Sequence, residues 1–267
     1  MKRTFLIEKY KQILNNVIEK LSQTDNNKKP VGRPNKFDNN FYLKYIFRIL
    51  FYGEFWNTFE CNLCDRSTIR KKFYLWEKMG VFEIAYNLLN EHYNKNRTFK
   101  HLFIDSTIIQ NMNCSNICMD YYHKIKSKKQ LKISVICDSN KIPLIQKITN
   151  PHEHDLTVCK KLVKDLDLHL KKKSKLIGDK GYISKNILLK TKNKNIKLIF
   201  NYRKNQKKIN STEDIKLLKK RTIIENLFAR LKNSYKRIRF IYDRKLTSYI
   251  TFLKMAFTCE IIRFLDK

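Results

Sequence analysis

Three acidic residues have the type and the placement that metal-dependent phosphoryl transfer requires. Asp105 ends an apolar run, and Asp179 follows a second apolar run and lies between two glycines. Glu225 lies in a segment with helical periodicity, in which Arg221 and Lys232 fall within about 40° of it around the helix axis. Carboxylate oxygens are the ligands that Mg²⁺ prefers, so Asp105, Asp179 and Glu225 predict a two-metal site.

The helix predicted to carry Glu225 runs from about Leu217 to Arg239. It has an apolar stripe about 100° wide that predicts burial in a core, formed by Ile224, Leu227, Phe228 and Leu231. A simpler interpretation is that Glu225 only forms exposed ion pairs with Arg221 and Lys232, and that the two aspartates only form turns. Three acids in this order favour the metal site over that alternative.

Two other aspartates compete for the second position of this site. Asp138 lies in an Asp-Ser-Asn turn between two predicted strands, where turn chemistry explains it. Asp155 precedes an apolar run, which predicts a helix cap. Asp179 is preferred because Gly178 and Gly181 flank it in a chain with only five glycines, which indicates a backbone that passes close to another group.

The composition indicates a polyanionic partner. The chain of 267 residues has 57 Lys and Arg against 24 Asp and Glu, a formal net charge of +33 and a pI near 9.9. Basic residues interleaved with aromatic ones favour nucleic acid over the alternative, an anionic membrane surface. No run of about 18 apolar residues is present, so the sequence predicts no transmembrane segment.

The seven cysteines form no disulfide pattern and predict free thiols in a reducing compartment. Cys61 and Cys64 have no second pair at zinc-site spacing, so no structural zinc is expected. These features predict a cytoplasmic, DNA-associated protein in a bacterial host. In a eukaryotic or viral host, the lysine runs would serve import into the nucleus.

Periodicity divides the chain into three predicted parts: an N-terminal helix and basic linker at 1–36, an α-helical, DNA-binding domain at 37–96, and a catalytic domain at 97–267. The catalytic part alternates strands and helices. Strands are predicted at 98–105, 130–137, 142–148, 175–179 and 196–201, and helices at 156–170, from Ser184, at 217–239 and at 246–265. Their order predicts an α/β fold, with an RNase H-like mixed sheet preceded by a small α-helical domain.

Several segments, in this order, resemble the DDE transposases of bacterial insertion sequences, in the branch with an Arg-x3-Glu-x6-Lys signature. They are Ile104–Thr107, Gln130–Asp138, Ile142–Leu144, His152–Asp155, Gly178–Tyr182 and the signature residues Arg221, Glu225 and Lys232. Upstream, Ser67–Trp76 is similar to the helical region of that family. The resemblance covers roughly residues 31–265. One departure is Leu218, which stands where the branch has a tyrosine.

The resemblance implies cleavage of DNA at transposon ends and strand transfer into target DNA, with Mg²⁺ as the cofactor and Mn²⁺ as a substitute. Asp105 would bridge both metal ions, and Asp179 and Glu225 would each complete one side. The implied partners are terminal inverted repeats and target DNA, bound by a homodimer, with no membrane. Two alternatives stay open: a domesticated, non-catalytic DNA-binding protein, and a metal-dependent nuclease of the same fold.

Basic residues in three places are predicted to contact DNA. Near the acids, phosphates would be bound by Arg221, Lys232 and Lys180. Lys28–Lys36 resembles an AT-hook whose Arg33 would enter an A·T minor groove, or it is a basic linker. The segment 66–76 predicts a recognition helix that presents Arg66, Arg70 and Lys71. The alternative is a surface helix that packs through Ile69, Phe73 and Trp76.

Overall fold

The computed structural model describes residues 3–24, 36–95, 97–112, 130–166, 170–182, 196–201 and 210–266. The AT-hook-like segment with Arg33, the helix predicted from Ser184, and Cys114 and Cys118 lie outside these ranges, as does the side chain of Lys180. The chain forms two compact units: Met1–Glu91 with Leu231–Lys267, and His92–Arg230.

Helices form the region before residue 96 and the C-terminus, as the sequence predicts. They are α1 (Arg3–Thr24), α2 (Asn39–Tyr52), α3 (Arg66–Lys78), α4 (Val81–Lys95) and, at the C-terminus, α8 (Leu246–Leu265). Their boundaries follow from capping residues. The Asp38 carboxylate accepts a hydrogen bond from the Phe41 amide at the start of α2, and the Asp65 carboxylate accepts one from Ser67 at the start of α3. Gly53, with a φ of 72°, ends α2 in the left-handed conformation.

Helix α8 packs against the N-terminal helices α1, α2 and α3. Its Phe252 ring stacks on the Phe73 ring of α3, with centroids 4.9 Å apart. The sequence predicts the bounds of this helix correctly but groups it with the catalytic domain at 97–267, whereas its packing joins it to the N-terminal helices. The three-part division at residues 36 and 96 stays a prediction.

A five-stranded mixed sheet forms the centre of the second unit. The strands are β1 (Phe99–Gln110), β2 (Gln130–Asp138), β3 (Pro143–Thr149), β4 (Leu170–Ile177) and β5 (Ile196–Ile199). Their order is β3-β2-β1-β4-β5, in which β1, β2 and β3 are antiparallel neighbours and β1, β4 and β5 run parallel. The predicted α/β fold with a mixed sheet and preceding helices is confirmed.

Strand β1 is longer than the sequence predicts. It was expected to end at Asp105, but it continues to Gln110 because β2 pairs with it as far as Gln130. On its other side, β1 pairs with β4 only as far as Phe103, which lies opposite Ile177. Asp105 therefore lies within β1 but beyond the end of its parallel neighbour.

The predicted helix at 217–239 is wrong as one continuous element. Helix α6 (Thr212–Lys219) ends, α7 (Thr222–Ser234) begins after two residues, and a short 3₁₀ turn at Lys236–Ile238 follows. Hydrogen bonds of the 3₁₀ type cross the break, from the Lys220 amide to the Leu217 carbonyl and from the Arg221 amide to the Leu218 carbonyl. Arg221 therefore precedes the helix of Glu225 instead of lying on its face. The predicted apolar stripe of α7 is buried.

Helix α5 (Asp155–Lys164) begins one residue earlier than predicted. The residue at its N-cap is His154, which makes no side-chain capping hydrogen bond, and Asp155 lies in the first turn. The prediction that Asp155 caps this helix is therefore wrong. Its carboxylate instead pairs with Lys132 of β2, with 3.1 Å between Nζ and Oδ1.

Candidate active site

Asp105 and Asp179 each lie two residues beyond the last pair that joins two neighbouring parallel strands. Phe103 lies opposite Ile177 in the pairing of β1 with β4, and each aspartate follows two residues later in its own segment. Asp105 continues β1 beyond this pair and Asp179 follows the end of β4, so the register brings the two residues to the same edge of the sheet. The sequence predicts that these two acids lie together, and this register is what brings them together. Their role in catalysis stays a prediction.

Asp105 is the more enclosed of the two aspartates. Its Oδ1 atom accepts a hydrogen bond of 2.9 Å from the Ser106 amide. Burial raises the pKa of its carboxyl, and the negative charges of Glu225 and Asp179 add to this, whereas the Ser106 amide and the Arg221 guanidinium lower it. The three predicted acids therefore act on one another electrostatically, and Arg221 lies within the same field.

Arg221 joins the other two acids directly. Its Nη1 atom lies 3.1 Å from Asp179 Oδ1, and its Nη2 atom lies 3.2 Å from Glu225 Oε1. Burial lowers the pKa of Arg221, but the hydrogen bond to Glu225 and the charges of Asp105 and Asp179 outweigh that effect and raise it. The guanidinium is thus the positive centre of a cluster of three carboxylates.

The backbone around Asp179 is fixed by close packing. The Gly178 amide donates a hydrogen bond to the Ile199 carbonyl of β5. A Cβ atom at Gly178 would come within 2.8 Å of Ile104 Cγ2, so the absence of a side chain lets this segment pass against β1. This is the close approach that the glycine-poor composition predicts. A 3₁₀ turn at Lys180–Tyr182 follows, in which the Tyr182 amide donates to the Asp179 carbonyl.

A hydroxyl network ties that turn to the sheet beside Asp105. The Ser106 hydroxyl lies 2.9 Å from the Tyr182 hydroxyl and 2.7 Å from the Ser134 hydroxyl of β2. Burial raises the pKa of Tyr182, so its hydroxyl stays protonated. The sequence reasoning missed all three residues as site components. Ser134 lies in a strand whose residues are all buried, and a buried hydroxyl needs a partner. A serine within the largely apolar run 130–137 was therefore the signal that the sequence offered.

The structure supports the turn interpretation of Asp138. Its Oδ1 atom accepts hydrogen bonds from the amides of Asn140 and Ile142, and its Oδ2 atom accepts one of 2.5 Å from the Tyr93 hydroxyl. The residue is buried, and Lys141 in the same turn has a φ of 67°. Asp138 therefore holds the β2–β3 turn and is not part of the acidic cluster.

The remaining predicted DNA contacts lie on helices. Lys232 lies about two turns after Glu225 along α7, and burial lowers its pKa, as does the nearby charge of Arg239. In α3, Ile69, Phe73 and Trp76 are buried, so the packing face of the alternative interpretation is present. Arg66 and Lys71 are exposed, and Arg66 and Arg70 also donate hydrogen bonds to Asn57. The DNA contacts of these residues stay predictions.

Among the residues that the structure describes, no three His, Cys, Asp or Glu side chains are arranged to hold one metal ion. Arg221 forms ion pairs with Asp179 and Glu225, and its charge lowers the pKa of Asp105. The five cysteines within the described ranges are free thiols, and Cys61 Sγ lies 3.6 Å from Cys64 Sγ. Within those same ranges, none of the helices has the length and hydropathy needed to cross a membrane.

Comparison with known protein families matches residues 97–259 to the family described as the transposase DDE domain. The chain belongs to this family. It is a transposase, a DNA-binding protein of DNA transposition, as the resemblance of its motifs implies. No curated protein matches the sequence.

The transposase is also similar to a solved structure, the cryo-EM structure of the piggyBac transposase synaptic complex with hairpin DNA. The TM-score is 0.56 at 11% sequence identity, and the match covers 94% of this chain and 71% of that chain. At this identity the likeness shows a shared fold.

Proposed function

We propose that this transposase is a metal-dependent enzyme that cleaves DNA at transposon ends and joins the freed 3′-hydroxyls to target DNA. The observation that carries the proposal is the convergence of three carboxylates on one edge of the sheet. Asp105 and Asp179 follow paired positions of β1 and β4, and Arg221 connects Asp179 to Glu225.

The three acids fit a magnesium centre by their chemistry. They supply only hard oxygen donors, and the burial that raises the pKa of Asp105 makes a nearby positive charge favourable to its ionised form. Two Mg²⁺ ions, or Mn²⁺ in their place, would supply activation of the attacking hydroxyl and neutralisation of the leaving oxyanion. Asp105, Asp179 and Glu225 would hold these ions.

DNA binding would use surfaces beyond the acids. The net charge of +33 supplies a non-specific attraction to phosphates. Contacts to terminal inverted repeats and target DNA are assigned to Arg221, Lys232, Lys180, Arg33, Arg66, Arg70 and Lys71. A homodimer on DNA and a division into parts 1–36, 37–96 and 97–267 complete the proposal.

The test is a cleavage assay with DNA that carries the inverted repeats flanking the reading frame, with and without Mg²⁺. Asp105→Ala, Asp179→Ala and Glu225→Ala should each abolish nicking while DNA binding in gel shifts stays within about twofold, because affinity comes from phosphate contacts spread over the surface. Asp165→Ala, which removes an exposed acid paired with Lys147, is the matched control and should cut normally. Near-normal nicking by any of the three variants would remove that residue from the site.

A further inference from the structure

Arg221 lies where a cation is required among the three acids. Its two terminal nitrogens each contact a different carboxylate, at 3.1 Å and 3.2 Å, and its charge also lowers the pKa of the third, Asp105. One guanidinium therefore offsets the mutual repulsion of Asp105, Asp179 and Glu225. A divalent ion held by the same oxygens would offset the same repulsion.

The ion pairs of Arg221 are of a kind that can be exchanged. The side chains of Asp179 and Glu225 are 46% and 51% exposed and that of Arg221 is 26% exposed, so water reaches both ion pairs and weakens them. Arg221 itself lies in the two-residue break between α6 and α7, and its backbone hydrogen bonds to Leu218 and Ile224 do not involve the guanidinium. Release of the guanidinium would therefore break two ion pairs and no backbone hydrogen bond.

We propose that Arg221 is a positioning residue that occupies the cation site between the three carboxylates and leaves it when divalent metal binds there. This inference rests on the proposed function. It gives Arg221 two successive partners: the carboxylates before metal binding, and a DNA phosphate after its release. By thermodynamic reciprocity, metal would raise the affinity of Arg221 for DNA ends, and DNA ends would raise the affinity for metal.

The test is a titration of the full-length protein with Mn²⁺ in the absence of DNA. The electron paramagnetic resonance signal of the free ion measures how much Mn²⁺ remains unbound at each step. Arg221→Gln should bind Mn²⁺ about tenfold more tightly than the natural protein, because the competing positive charge is gone. Arg221→Lys keeps the charge and should stay within about threefold of the natural protein. Lys216→Gln removes an exposed positive charge of α6 from the same unit and should leave the affinity unchanged.

The difference between Arg221→Gln and the natural protein should shrink as salt rises from about 0.05 M to 0.5 M, because salt screens a charge that water reaches. Equal or weaker Mn²⁺ binding by Arg221→Gln would overturn the inference and leave the proposed function standing, since Arg221 would then only hold the acids in place. If the natural protein and Arg221→Gln bind Mn²⁺ no more tightly than Asp105→Ala does, the metal centre itself is overturned, and the inference with it.

Discussion

Burial raises the pKa of the Asp105 carboxyl, so ionisation of this group costs the folded protein free energy. Such a cost is expected of a group kept for chemistry and not for stability. In the unfolded chain the same carboxyl titrates near its ordinary value of about 3.9. Between the two pKa values, the folded state binds more protons than the unfolded state, and the stability contribution of Asp105 falls as pH rises.

We therefore predict that Asp105→Asn raises the free energy of unfolding relative to the natural protein at pH 7, and that this advantage disappears as pH falls towards about 4. The asparagine keeps an oxygen that can accept from the Ser106 amide but carries no charge. Urea unfolding of both proteins between pH 4 and pH 8 measures the difference. A difference that does not change with pH would show that the charge of Asp105 has no influence on stability.

The residues of the site differ in how far the sequence alone predicts them. Asp105, Asp179 and Glu225 could be singled out because three acids occur in the order, and within the motifs, of the DDE transposases. The partnership of Arg221 with two of these acids depends on the break before α7, and Ser106, Ser134 and Tyr182 depend on strand register. No local pattern records those contacts.

At the scale of elements, the 3₁₀ turn at Lys180–Tyr182 sets where Asp179 lies relative to β1. The turn starts with the Asp179 carbonyl and is held at its other end by the hydroxyl of Tyr182 on Ser106. A side chain at position 178 would clash with Ile104, because a Cβ atom there would lie 2.8 Å from Ile104 Cγ2. The position of Asp179 therefore depends on how this turn is held against the sheet.

We predict that Tyr182→Phe and Ser106→Ala each lower the free energy of unfolding by about 1 kcal/mol, because each removes a partly buried hydrogen bond. The double variant should lose less than the sum of the two, by about 0.5 kcal/mol or more, since both changes remove the same contact. A double-mutant cycle by urea unfolding measures the coupling. Additive losses would show that the two hydroxyls do not stabilise each other.

The elements also show why sequence periodicity has limits. The apolar pattern continues from Leu217 into α7, so periodicity alone predicts one helix, but a pattern of apolar positions does not record a change of hydrogen bonding at Lys220 and Arg221. Strand β1 was predicted too short because its residues after Asp105 alternate weakly and gain their strand conformation from pairing with β2. Helix α8 was predicted with the correct bounds because apolar residues dominate it along its whole length.

At the scale of the whole molecule, sequence-specific DNA binding cannot be assigned to residues 1–95 as an isolated fragment. Helix α8 packs against α1, α2 and α3, and the stack of Phe252 on Phe73 belongs to that contact. A fragment that ends before α8 would expose the apolar faces of three helices. The predicted DNA-binding role of the helical domain at 37–96 therefore needs a test in the full-length chain.

We predict that Arg66→Ala with Lys71→Ala, in the full-length protein, weakens binding to the terminal repeats about tenfold or more but weakens binding to random DNA about threefold or less. Both side chains are exposed on α3 and would reach base edges, whereas non-specific affinity comes from the whole basic surface. Competition gel shifts at about 0.15 M salt measure the ratio. The control is Lys44→Ala, which removes an exposed charge on α2. Equal losses on both DNAs would assign α3 to phosphate contact alone.

Asp105, Asp179 and Glu225 are expected to hold metal ions at one centre, and the most direct measurement is cleavage of the polypeptide by bound iron. Fe²⁺ in place of Mg²⁺, with ascorbate and peroxide, releases hydroxyl radicals that cut the backbone nearest to the ion. We predict cuts beside residues 105, 179 and 225 that excess Mg²⁺ suppresses and that Asp105→Ala abolishes. Cuts beside Asp138 or Asp155 instead, or cuts that Mg²⁺ does not suppress, would contradict it.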